Sequence, residues 1–419
     1  MKNAARLITP CGFSALRGRH MSELRIIENG AVVIRGGVIQ DVGTTSDLDT
    51  RYRGESLAVL DASGKAVLPG FIDPHTHFLF AGERVEEFHW RVQGLPYMEI
   101  LARGGGILST VQATRAASKE ELFNTGLKRL LRMLSFGVTT VEGKSGYGLD
   151  RSTEIMQLRV MKELEDAQPV EIVRTYLGAH VPPPEYASSS DEYIDYIRDA
   201  VLPVVASERL AEFCDVFCEE NVFSIEQSRR LLVRAKELGL GVKLHADEMS
   251  DLGGAQLAAE MGALSADHLL KASDNGISRM ADAGVVGVLL PGTAFCLREE
   301  YARARSMIEK GLAVSLATDY NPGTFYSESV PLVCALAVLH MDMSIEEVIT
   351  AITLNAAAAV GRADRIGSLE PGKQGDLLIL EHPSHSYIPY HTGVNCVHTV
   401  VKRGTVVFES NQNQTLRSN

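Results

Sequence analysis

Two histidines separated by a single residue, His75 and His77, are the first feature of the sequence that could do chemistry. Alternate residues of a β-strand point to the same face, so both imidazoles can reach one metal ion. A third imidazole at His245 and a carboxylate at Asp319 complete a donor set of three nitrogens and one oxygen. This set suits Zn²⁺ and is also acceptable to Fe²⁺. We predict that the four residues bind one metal ion; the histidine pair by itself could equally be two polar side chains at a strand edge.

Two further titratable residues follow these candidate ligands in the sequence. Glu248 lies three residues after His245, close enough to carry a proton from an attacking water to a leaving nitrogen. His268 could hydrogen-bond that water or the developing oxyanion. We predict Glu248, His268 and Asp319 as catalytic residues, and the sequence leaves open whether Glu248 or His268 is the main proton carrier. The structural alternatives are a surface carboxylate at a helix start and a buried histidine bonded to the backbone.

The elements that must position these residues alternate between two hydrophobic patterns. Short apolar segments alternate with longer segments of helical periodicity, which is typical of βα units and a parallel sheet. Eight parallel strands close a (β/α)8 barrel, whose active site lies at the C-terminal ends of the strands. Each candidate ligand falls at the end of one such segment. The eight predicted strands are residues 71–80, 138–143, 173–180, 213–219, 242–247, 264–268, 285–290 and 314–319.

Capping residues mark several helix boundaries between these strands. Ser118, Ser224 and Ser344 each precede a Glu or Gln by three residues, which is the pattern of a capping box. Gly137 and Gly239 follow helical segments and suit the left-handed conformation that ends a helix. These signals support the alternation of helices and strands.

Both ends of the chain differ from its middle. Residues 25–68 and 375–408 contain short apolar runs broken by glycines at turn spacing, which is typical of β-strands. We predict an α/β protein with two domains. A (β/α)8 TIM-like barrel would occupy residues 69–364, and residues 1–68 together with 365–419 would form a small β-sandwich domain.

Composition excludes several classes of partner. The chain has 41 Lys and Arg against 53 Asp and Glu, a formal charge of −12, and no basic cluster. Nucleic acids and anionic membranes are bound through basic surfaces, so neither is an expected partner. The N-terminal residues lack the apolar core of a signal peptide, and no segment approaches the ~20 apolar residues that span a bilayer. The six scattered cysteines are typical of reduced thiols, and we expect a cytoplasmic protein.

The histidine pair lies in the segment Val67-Leu-Pro-Gly-Phe-Ile-Asp-Pro-His-Thr-His77. This segment resembles the first-strand signature of the amidohydrolase superfamily, metal-dependent hydrolases with a (β/α)8 barrel and a small β-sandwich built from both chain ends. The resemblance runs over residues 25–410 and narrows to members that hydrolyse 4-imidazolone-5-propanoate to N-formimino-L-glutamate. It rests on His75-Thr-His-Phe-Leu-Phe-Ala-Gly-Glu-Arg84, Gly104-Gly-Gly-Ile107, Lys144-Ser-Gly-Tyr-Gly-Leu149, Tyr176-Leu-Gly-Ala-His-Val-Pro182, Leu244-His-Ala-Asp-Glu248, Ala266-Asp-His268 and Ala317-Thr-Asp-Tyr-Asn-Pro-Gly323.

The resemblance implies one divalent metal ion per chain, with zinc or iron (Fe²⁺ or Fe³⁺) as the candidates. Its ligands would be the four residues named above. Many members bridge a second ion with a carboxylated lysine at the end of the fourth strand, where this chain has Cys218 and Glu219 instead. One ion is therefore the expectation, and a second ion held by Cys218 or Glu219 is the alternative.

The resemblance also implies which residues surround the substrate, a small molecule with a propionate arm. A carboxylate in a barrel mouth requires charge-assisted partners. The match places Arg84 there as a bidentate fork, with Tyr147 and His180 as further donors. The alternative for Arg84 is a surface salt bridge with a nearby glutamate, at position 83, 86 or 87. The other residues that the match places at the substrate are Tyr97, which could alternatively be packing, and Glu248, Asn321, Gly323 and Thr324.

Two other functions stay open on the sequence. A heterocycle deaminase of the same superfamily would arrange its metal ligands and proton-transfer residues alike, although Arg84 with Tyr147 and His180 favours a carboxylate-bearing substrate over a nucleobase. A non-catalytic oligomeric scaffold would usually have lost some metal ligands, and all four are present here.

The resemblance also implies that the protein forms a homodimer.

Overall fold

The computed structural model of the chain describes residues 1–410 and, at Tyr97, the backbone alone. Its strands form one sheet of eight strands and one of seven. In chain order they are β1 (Ala4–Thr9), β2 (Arg25–Arg35), β3 (Val38–Thr44), β4 (Ala66–Pro69), β5 (Phe71–Thr76), β6 (Val138–Lys144), β7 (Glu171–Ala179), β8 (Phe213–Cys218), β9 (Gly241–Ala246), β10 (Ser265–His268), β11 (Val286–Leu289), β12 (Ala313–Leu316), β13 (Leu377–Leu380), β14 (Val397–Lys402) and β15 (Thr405–Glu409).

The eight-stranded sheet is the barrel, in which β5 to β12 follow one another in chain order and pair in parallel. Its strands are almost entirely buried, as is typical of parallel strands covered on both faces. The eight strands expected from the apolar segments are therefore confirmed. The largest difference is at β5, which ends at Thr76 because the chain beyond it bonds to the segment after β12.

Helices fill the connections between the strands, and within residues 1–410 none is both long and apolar enough to cross a membrane. Short 3₁₀ turns lie at Gly18–Ser22 and Pro184–Tyr186, and a π turn lies at Ile197–Val201. The α-helices are α1 (Thr45–Arg51), α2 (Val85–Val92), α3 (Tyr97–Ala102), α4 (Ile107–Ala116), α5 (Lys119–Ser135), α6 (Arg151–Ala167), α7 (Ser190–Tyr196), α8 (Leu202–Ser207), α9 (Ile225–Glu237), α10 (Gly254–Met261), α11 (Asp274–Ala283), α12 (Pro291–Leu297), α13 (Ala304–Glu309), α14 (Val330–His340), α15 (Ile345–Ile352), α16 (Leu354–Ala359) and α17 (Tyr387–Tyr390).

The expected capping residues set several of these helix boundaries. Ser224 and Ser344 form complete capping boxes at the starts of α9 and α15. Ser118 caps α5 through its hydroxyl, which accepts from the backbone N–H three residues on. Gly137 and Gly239 follow α5 and α9 with φ of 92° and 83°, the left-handed conformation that favours glycine.

The barrel closes where the end of β5 meets the residues after β12. The Asp319 N–H donates to the His75 carbonyl, and the His77 N–H donates to the Tyr320 carbonyl, each with an N···O distance of 3.0 Å. The residue before Asp319 donates two further hydrogen bonds, of 3.0 and 2.6 Å, to the Asp73 carboxylate. The first and eighth barrel strands therefore meet at residues predicted to bind metal.

The seven-stranded sheet combines strands from both ends of the chain, in the order β15-β14-β13-β4-β1-β2-β3. β4 directly precedes the barrel and pairs in parallel with β1 and antiparallel with β13. An apolar core of its own includes Ala4, Leu7, Val67, Leu377 and Val401. The expectation that both chain ends build one small β domain is confirmed, and the boundaries at residues 68/69 and 364/365 stay predictions.

Candidate active site

The imidazoles of His75, His77 and His245 lie together at the C-terminal ends of β5 and β9. Their ring centroids are 5.3 Å apart for His75 and His77, 4.6 Å for His75 and His245, and 5.5 Å for His77 and His245. His268, at the end of β10, lies 5.4 Å from His75 and 5.2 Å from His245. All four side chains are buried. The barrel therefore forms one imidazole cluster that includes the three histidines predicted as ligands.

The described residues contain four groups of three potential metal ligands, and the four predicted ligands are all found in two of these groups, which share His75. One group is His75, His77 and Asp319, the other is His75, His245 and His268, and within each the ligand atoms lie within 4.8 Å of one another. Asp319 Oδ1 is 3.5 Å from His75 Nε2 and 3.7 Å from His77 Nε2. The structure thus brings the four predicted ligands together and adds His268 as a neighbour of the same site.

Five imidazole nitrogens in this cluster are buried and make no hydrogen bond within residues 1–410: His75 Nε2, His77 Nδ1, His245 Nδ1 and Nε2, and His268 Nδ1. A buried polar atom without a partner costs about 1–3 kcal/mol. Imidazole nitrogens beside a carboxylate are the donors that zinc and iron accept. The residues present therefore fit a metal ion of that type.

Two buried carboxylates contact the other ring nitrogens of these histidines. His75 Nδ1 donates to Asp267 Oδ2 at 2.6 Å, and His245 Nδ1 lies 2.9 Å from Asp215 Oδ2. A carboxylate at Nδ1 keeps the proton there and leaves the Nε2 lone pair available to a metal. Sequence reasoning gave neither Asp215 nor Asp267 a role. The available signal for Asp215 was an acidic residue inside the otherwise apolar strand β8, and for Asp267 its position next to His268 in β10.

Burial determines the protonation of the cluster. It lowers the pKa of His75, His77 and His268 well below the ordinary histidine range, so these imidazoles are neutral at neutral pH. Burial also raises the pKa of Asp319 to about 6, although the hydrogen bond from the Thr293 hydroxyl, at 2.5 Å, acts in the opposite direction. Neutral imidazoles whose free nitrogens lie near the Asp319 carboxylate form an environment that a divalent cation complements.

His268 and Asp319 adopt left-handed backbone conformations, with φ of 75° and 54°. Residues other than glycine rarely occupy this region, and the strain costs of order 1–3 kcal/mol. Such residues cluster at functional sites because the surrounding structure must hold them there. For Asp319, the backbone bond to His75 at the barrel closure provides part of that restraint.

Glu248 lies beside the cluster, with Oε1 3.4 Å from His268 Nδ1. Its side chain is 17% exposed. Burial, together with the negative charges of Asp319 and Glu219, raises the pKa of Glu248 to about 8. A carboxyl group with such a pKa can exchange a proton near neutral pH, which is the property of a general acid or base.

Glu219, considered above as a ligand of a second metal ion, instead holds the loop that carries Glu248. It accepts from the N–H groups of Glu248 at 3.0 Å and Met249 at 2.9 Å, and from the Ser250 hydroxyl. Within the described part of the chain, neither Glu219 nor Cys218 belongs to a group of three potential ligands. Burial raises the pKa of the Cys218 thiol to about 11. These contacts favour one ion over two.

Arg84, predicted at the substrate carboxylate, forms an ion pair with Glu87. Its Nε donates to Glu87 Oε2 at 2.8 Å and its Nη2 donates to Oε1, so the salt bridge considered as the alternative is present. The pair is not on the surface, however, because the two side chains are only 13% and 7% exposed. A Cβ at Gly323 would lie 2.1 Å from Arg84 Nη1. The guanidinium therefore packs against the loop after β12, beside other residues predicted to bind substrate.

A cavity of about 360 Å³ lies between α2 and that loop. Arg91 Nη1 donates to the Gly323 carbonyl at 2.9 Å, a contact that sequence reasoning missed. Tyr97, also predicted at the substrate, begins α3, and its side chain lies outside the described residues. The cavity is lined by Glu83, Arg84, Val85, Phe88, Arg91, Pro322, Gly323, Thr324 and Tyr326.

Tyr147 and His180 lie next to His77. The ring centroid of His77 is 5.7 Å from that of Tyr147 and 5.0 Å from that of His180, which it stacks against. His180 Nδ1 donates to the Gly146 carbonyl at 3.1 Å, and burial lowers the pKa of His180 to about 3. A neutral imidazole with its proton on Nδ1 has an acceptor at Nε2. In this tautomer the free ring nitrogen is an acceptor, and the expectation that His180 binds the substrate stays a prediction.

Asn321 shapes the loop after β12 through hydrogen bonds at both the oxygen and the nitrogen of its side-chain amide. Its Oδ1 accepts from the N–H groups of Gly323 at 2.8 Å and Thr324 at 2.9 Å. Its Nδ2 donates to the Asp319 carbonyl at 2.7 Å and to Thr324 Oγ1 at 2.6 Å. Thr324 Oγ1 is also 3.5 Å from Asp319 Oδ2. Asn321 therefore positions Gly323 and Thr324 relative to a predicted metal ligand.

The chain is similar to amidohydrolases along most of its length, and the model of the amidohydrolase family matches residues 66–407. The imidazolonepropionase of Clostridium tetani is 56% identical over 409 residues, 98% of each chain. The imidazolonepropionase of Bacteroides thetaiotaomicron is 56% identical over 402 residues, 96% of each chain.

Solved structures share the fold at much lower identity. Escherichia coli guanine deaminase has a TM-score of 0.72 and 16% identity, over 97% of this chain and 98% of that chain. An adenosine deaminase from Xanthomonas campestris with bound zinc has a TM-score of 0.70 and 21% identity, over 91% of this chain and 89% of that chain. At these identities the likeness concerns the fold alone.

Proposed function

The chain belongs to the amidohydrolase family and has imidazolonepropionase activity, and from this premise we propose how its residues act on the substrate. The reaction adds water to 4-imidazolone-5-propanoate and cleaves a C–N bond of the ring, which yields N-formimino-L-glutamate. The observation that carries the activity is the 56% identity to the Clostridium tetani imidazolonepropionase over 98% of the chain. It favours cyclic-amide hydrolysis over the deaminase and scaffold alternatives.

We assign one divalent metal ion, zinc or iron, to His75, His77, His245 and Asp319. The unpartnered Nε2 atoms of His75 and His245 and the nearby Asp319 carboxylate support this assignment. When bound, such an ion lowers the pKa of a water molecule and polarises a carbonyl group as a Lewis acid. The neutral state of His75 and His77 keeps their lone pairs available.

We assign proton transfer to Asp319 and Glu248, and a hydrogen bond to the reacting atoms to His268, which lies beside Glu248. Asp319 would accept the proton of the attacking water at Oδ2, which the Thr293 hydroxyl holds in place. Glu248 would deliver a proton from its carboxyl to the leaving ring nitrogen, because its raised pKa keeps that proton available near neutral pH. His268, neutral and 3.4 Å from Glu248, would hydrogen-bond the developing oxyanion or the water.

We propose that Arg84 binds the substrate propionate while Glu87 orients it. Glu87 engages Nε and Nη2, which leaves Nη1 for the substrate. A guanidinium with one side held by a buried carboxylate is preorganised, so less side-chain entropy is lost on binding. Gly323 leaves the space that Nη1 occupies. The ion pair with Glu87 is then part of the binding site rather than an alternative to it.

The imidazolone ring is assigned to the residues beside His77 and the loop after β12. His180 Nε2 would accept from a ring N–H. Tyr147, whose pKa is raised by burial, would donate its phenolic hydrogen. Thr324 adds a hydroxyl, whereas Asn321 acts by shaping its loop. Tyr97 keeps its assignment to the substrate on the resemblance alone.

We further propose a cytoplasmic location and a homodimer. All six cysteines are free thiols, which suits a reducing compartment. The net charge of −12 supports a small molecule, rather than nucleic acid or a membrane, as the partner. The resemblance to a family that commonly forms dimers supports the assembly, which sedimentation velocity would measure.

Metal analysis combined with an ultraviolet assay for freshly generated imidazolone propionate tests the proposed function. We expect about one zinc or iron ion per chain, because His75, His77, His245 and Asp319 together offer the four ligands that one such ion takes. We also expect loss of substrate without release of ammonia. A reproducible content near two ions per chain, or stoichiometric ammonia, would contradict the proposal.

The role of Arg84 is tested by the affinity for hydantoin propionate, a stable analogue of the ring and its arm. Arg84→Met should weaken binding about 30- to 5,000-fold, which corresponds to the 2–5 kcal/mol lost when a buried charge pair is broken. The matched control is Arg103→Met. Arg103 forms an ion pair with Glu99 on the same segment, but its side chain is 46% exposed. Unchanged affinity in Arg84→Met would remove Arg84 from the substrate site.

A further inference from the structure

Lys144, the last residue of β6, is a fully buried cation at the metal site that the assignments above do not use. Its Nζ lies 2.7 Å from Asp215 Oδ2, 3.2 Å from Asp267 Oδ2 and 3.1 Å from Glu142 Oε2. All three carboxylates are buried with no exposed surface. One ammonium group therefore contacts acidic residues from three barrel strands.

Two of these carboxylates are the ones that contact the candidate metal ligands, and they do so through the same oxygen atoms. Asp267 Oδ2 accepts from His75 Nδ1, and Asp215 Oδ2 lies beside His245 Nδ1. Each of these oxygens is thus shared between Lys144 and an imidazole. Lys144 is the common neighbour of the groups that orient His75 and His245.

We propose that Lys144 is a positioning residue that sets the geometry and tautomer of His75 and His245 through Asp267 and Asp215. This inference rests on the proposed function, in which both histidines hold the metal ion. The ammonium fixes each carboxylate beside the Nδ1 atom that it contacts, so the Nε2 atoms of both imidazoles stay directed to one ion. Without the ammonium, the two buried carboxylates repel each other and no longer share a fixed orientation.

Lys243, on β9, provides a matched control within the same buried network. It has no exposed surface, and its Nζ lies 2.7 Å from Glu142 Oε2. Within residues 1–410 it forms no ion pair with Asp215 or Asp267. Removal of either lysine takes one buried cation away from Glu142, but only Lys144 also contacts the carboxylates behind the ligands. General destabilisation can therefore be separated from a specific effect on the metal site.

The experiment measures the rate at which zinc-loaded protein releases its ion to excess 4-(2-pyridylazo)resorcinol. We expect Lys144→Met to release zinc about 10- to 100-fold faster than wild type, because loss of a group behind a metal ligand lowers metal affinity by about that factor. Lys243→Met should release zinc at close to the wild-type rate, even if its melting temperature falls as much as that of Lys144→Met. Lys144→Arg keeps the charge and can bond both carboxylates, so it should restore slow release.

The Co²⁺-substituted proteins provide a second readout. The visible bands of bound Co²⁺ should shift in Lys144→Met and stay as in wild type in Lys243→Met, because the bands report the arrangement of the ligands. If Lys144→Met does not fold, Lys144→Gln, which keeps a donor but no charge, is measured in the same way. Equal zinc release and equal spectra in the Lys144 and Lys243 variants would overturn the proposal. Failure of the wild type to take up zinc or Co²⁺ would overturn the metal assignment and this inference together.

Discussion

Replacement of Gly323 by alanine perturbs the substrate arginine without changing any side chain that is proposed to touch the substrate. An alanine Cβ would lie 2.1 Å from Arg84 Nη1, 2.7 Å from Cζ and 3.2 Å from Nη2. Nonbonded carbon contacts require about 3.5 Å, so the guanidinium must move by more than about 1 Å. Its hydrogen bonds with Glu87 cannot both survive such a shift, because they fix Nε and Nη2 together.

The expected cost falls on substrate affinity as well as on folding. The atoms that must move are the far end of a flexible side chain, so the protein should still fold, but the weakened ion pair with Glu87 should lower the melting temperature. A hydrogen bond to a charged group contributes about 1.5–3 kcal/mol, so the loss of one between Arg84 and the propionate corresponds to about 10- to 150-fold weaker binding. The Michaelis constant should rise by a similar factor, whereas the metal content should stay the same.

The assay compares the dissociation constant of hydantoin propionate with that of a hydantoin lacking the propionate. Only the former should change in Gly323→Ala. Gly43→Ala serves as the control. Gly43 lies on β3 of the seven-stranded sheet, and a Cβ there would lie 3.7 Å from Leu48, an ordinary van der Waals distance. If Gly323→Ala binds the full analogue as tightly as wild type, then either Arg84 does not hold the propionate or the guanidinium adapts freely, and the reasoning from Gly323 is refuted.

Four further outcomes follow from the site and its surroundings. Asp319→Ala should leave metal content near zero by elemental analysis, because the proposed site then loses its only anionic ligand; retention of a full complement would argue against that ligand. Glu248→Gln should lower kcat by about 10²–10⁴-fold with a smaller effect on the Michaelis constant, and an unchanged kcat would exclude it as proton carrier. Glu219→Gln should lower kcat without loss of metal, because the loop carrying Glu248 loses a charged acceptor; a loss of metal instead would revive the second-ion alternative. Burial lowers the pKa of Lys373 to about 8, so the folded state binds fewer protons than the unfolded state from pH 8 up to about 10.4. Wild type should therefore gain thermal stability relative to Lys373→Met as the pH rises from 8 to 10, and parallel curves would contradict this.

The barrel and its ligand positions could be predicted because their signals are local. Each strand is a short apolar segment, and the chemistry of a barrel is confined to strand ends, so His75, His77, His245 and Asp319 stand out by position. The capping serines are equally local, since a cap requires only residues within one turn. No knowledge of the partner strand is needed for either kind of signal.

The partners of charged residues could not be predicted because they depend on tertiary contacts. Three glutamates lie within three residues of Arg84, and Glu87 is the one that pairs because the Gly106 N–H also donates to it, at 2.7 Å, from a later segment. The contact of Lys144 with Asp215 depends on the relative register of barrel strands that are not adjacent in sequence. A single strand carries no information about such neighbours.

The tautomer of His180 also depends on a distant contact. Its Nδ1 finds the carbonyl of Gly146, 34 residues away. Sequence alone shows that an imidazole ends the strand, but its hydrogen-bonding role depends on which nitrogen is already occupied. Which nitrogen of His180 is free for a ligand therefore could not be predicted without the fold.

The closure of the barrel between β5 and the residues after β12 has a consequence for how the protein matures. The two sides of this closure are 245 residues apart in the chain. During synthesis, the hydrogen bonds between them can form only after most of the protein has been made. Such long-range contacts form late because their loop-closure entropy must be paid first. Since His75 and His77 lie on one side and Asp319 on the other, the proposed metal site exists only in the closed barrel. Metal availability would then act by mass action on the final folding step and raise the population of closed chains.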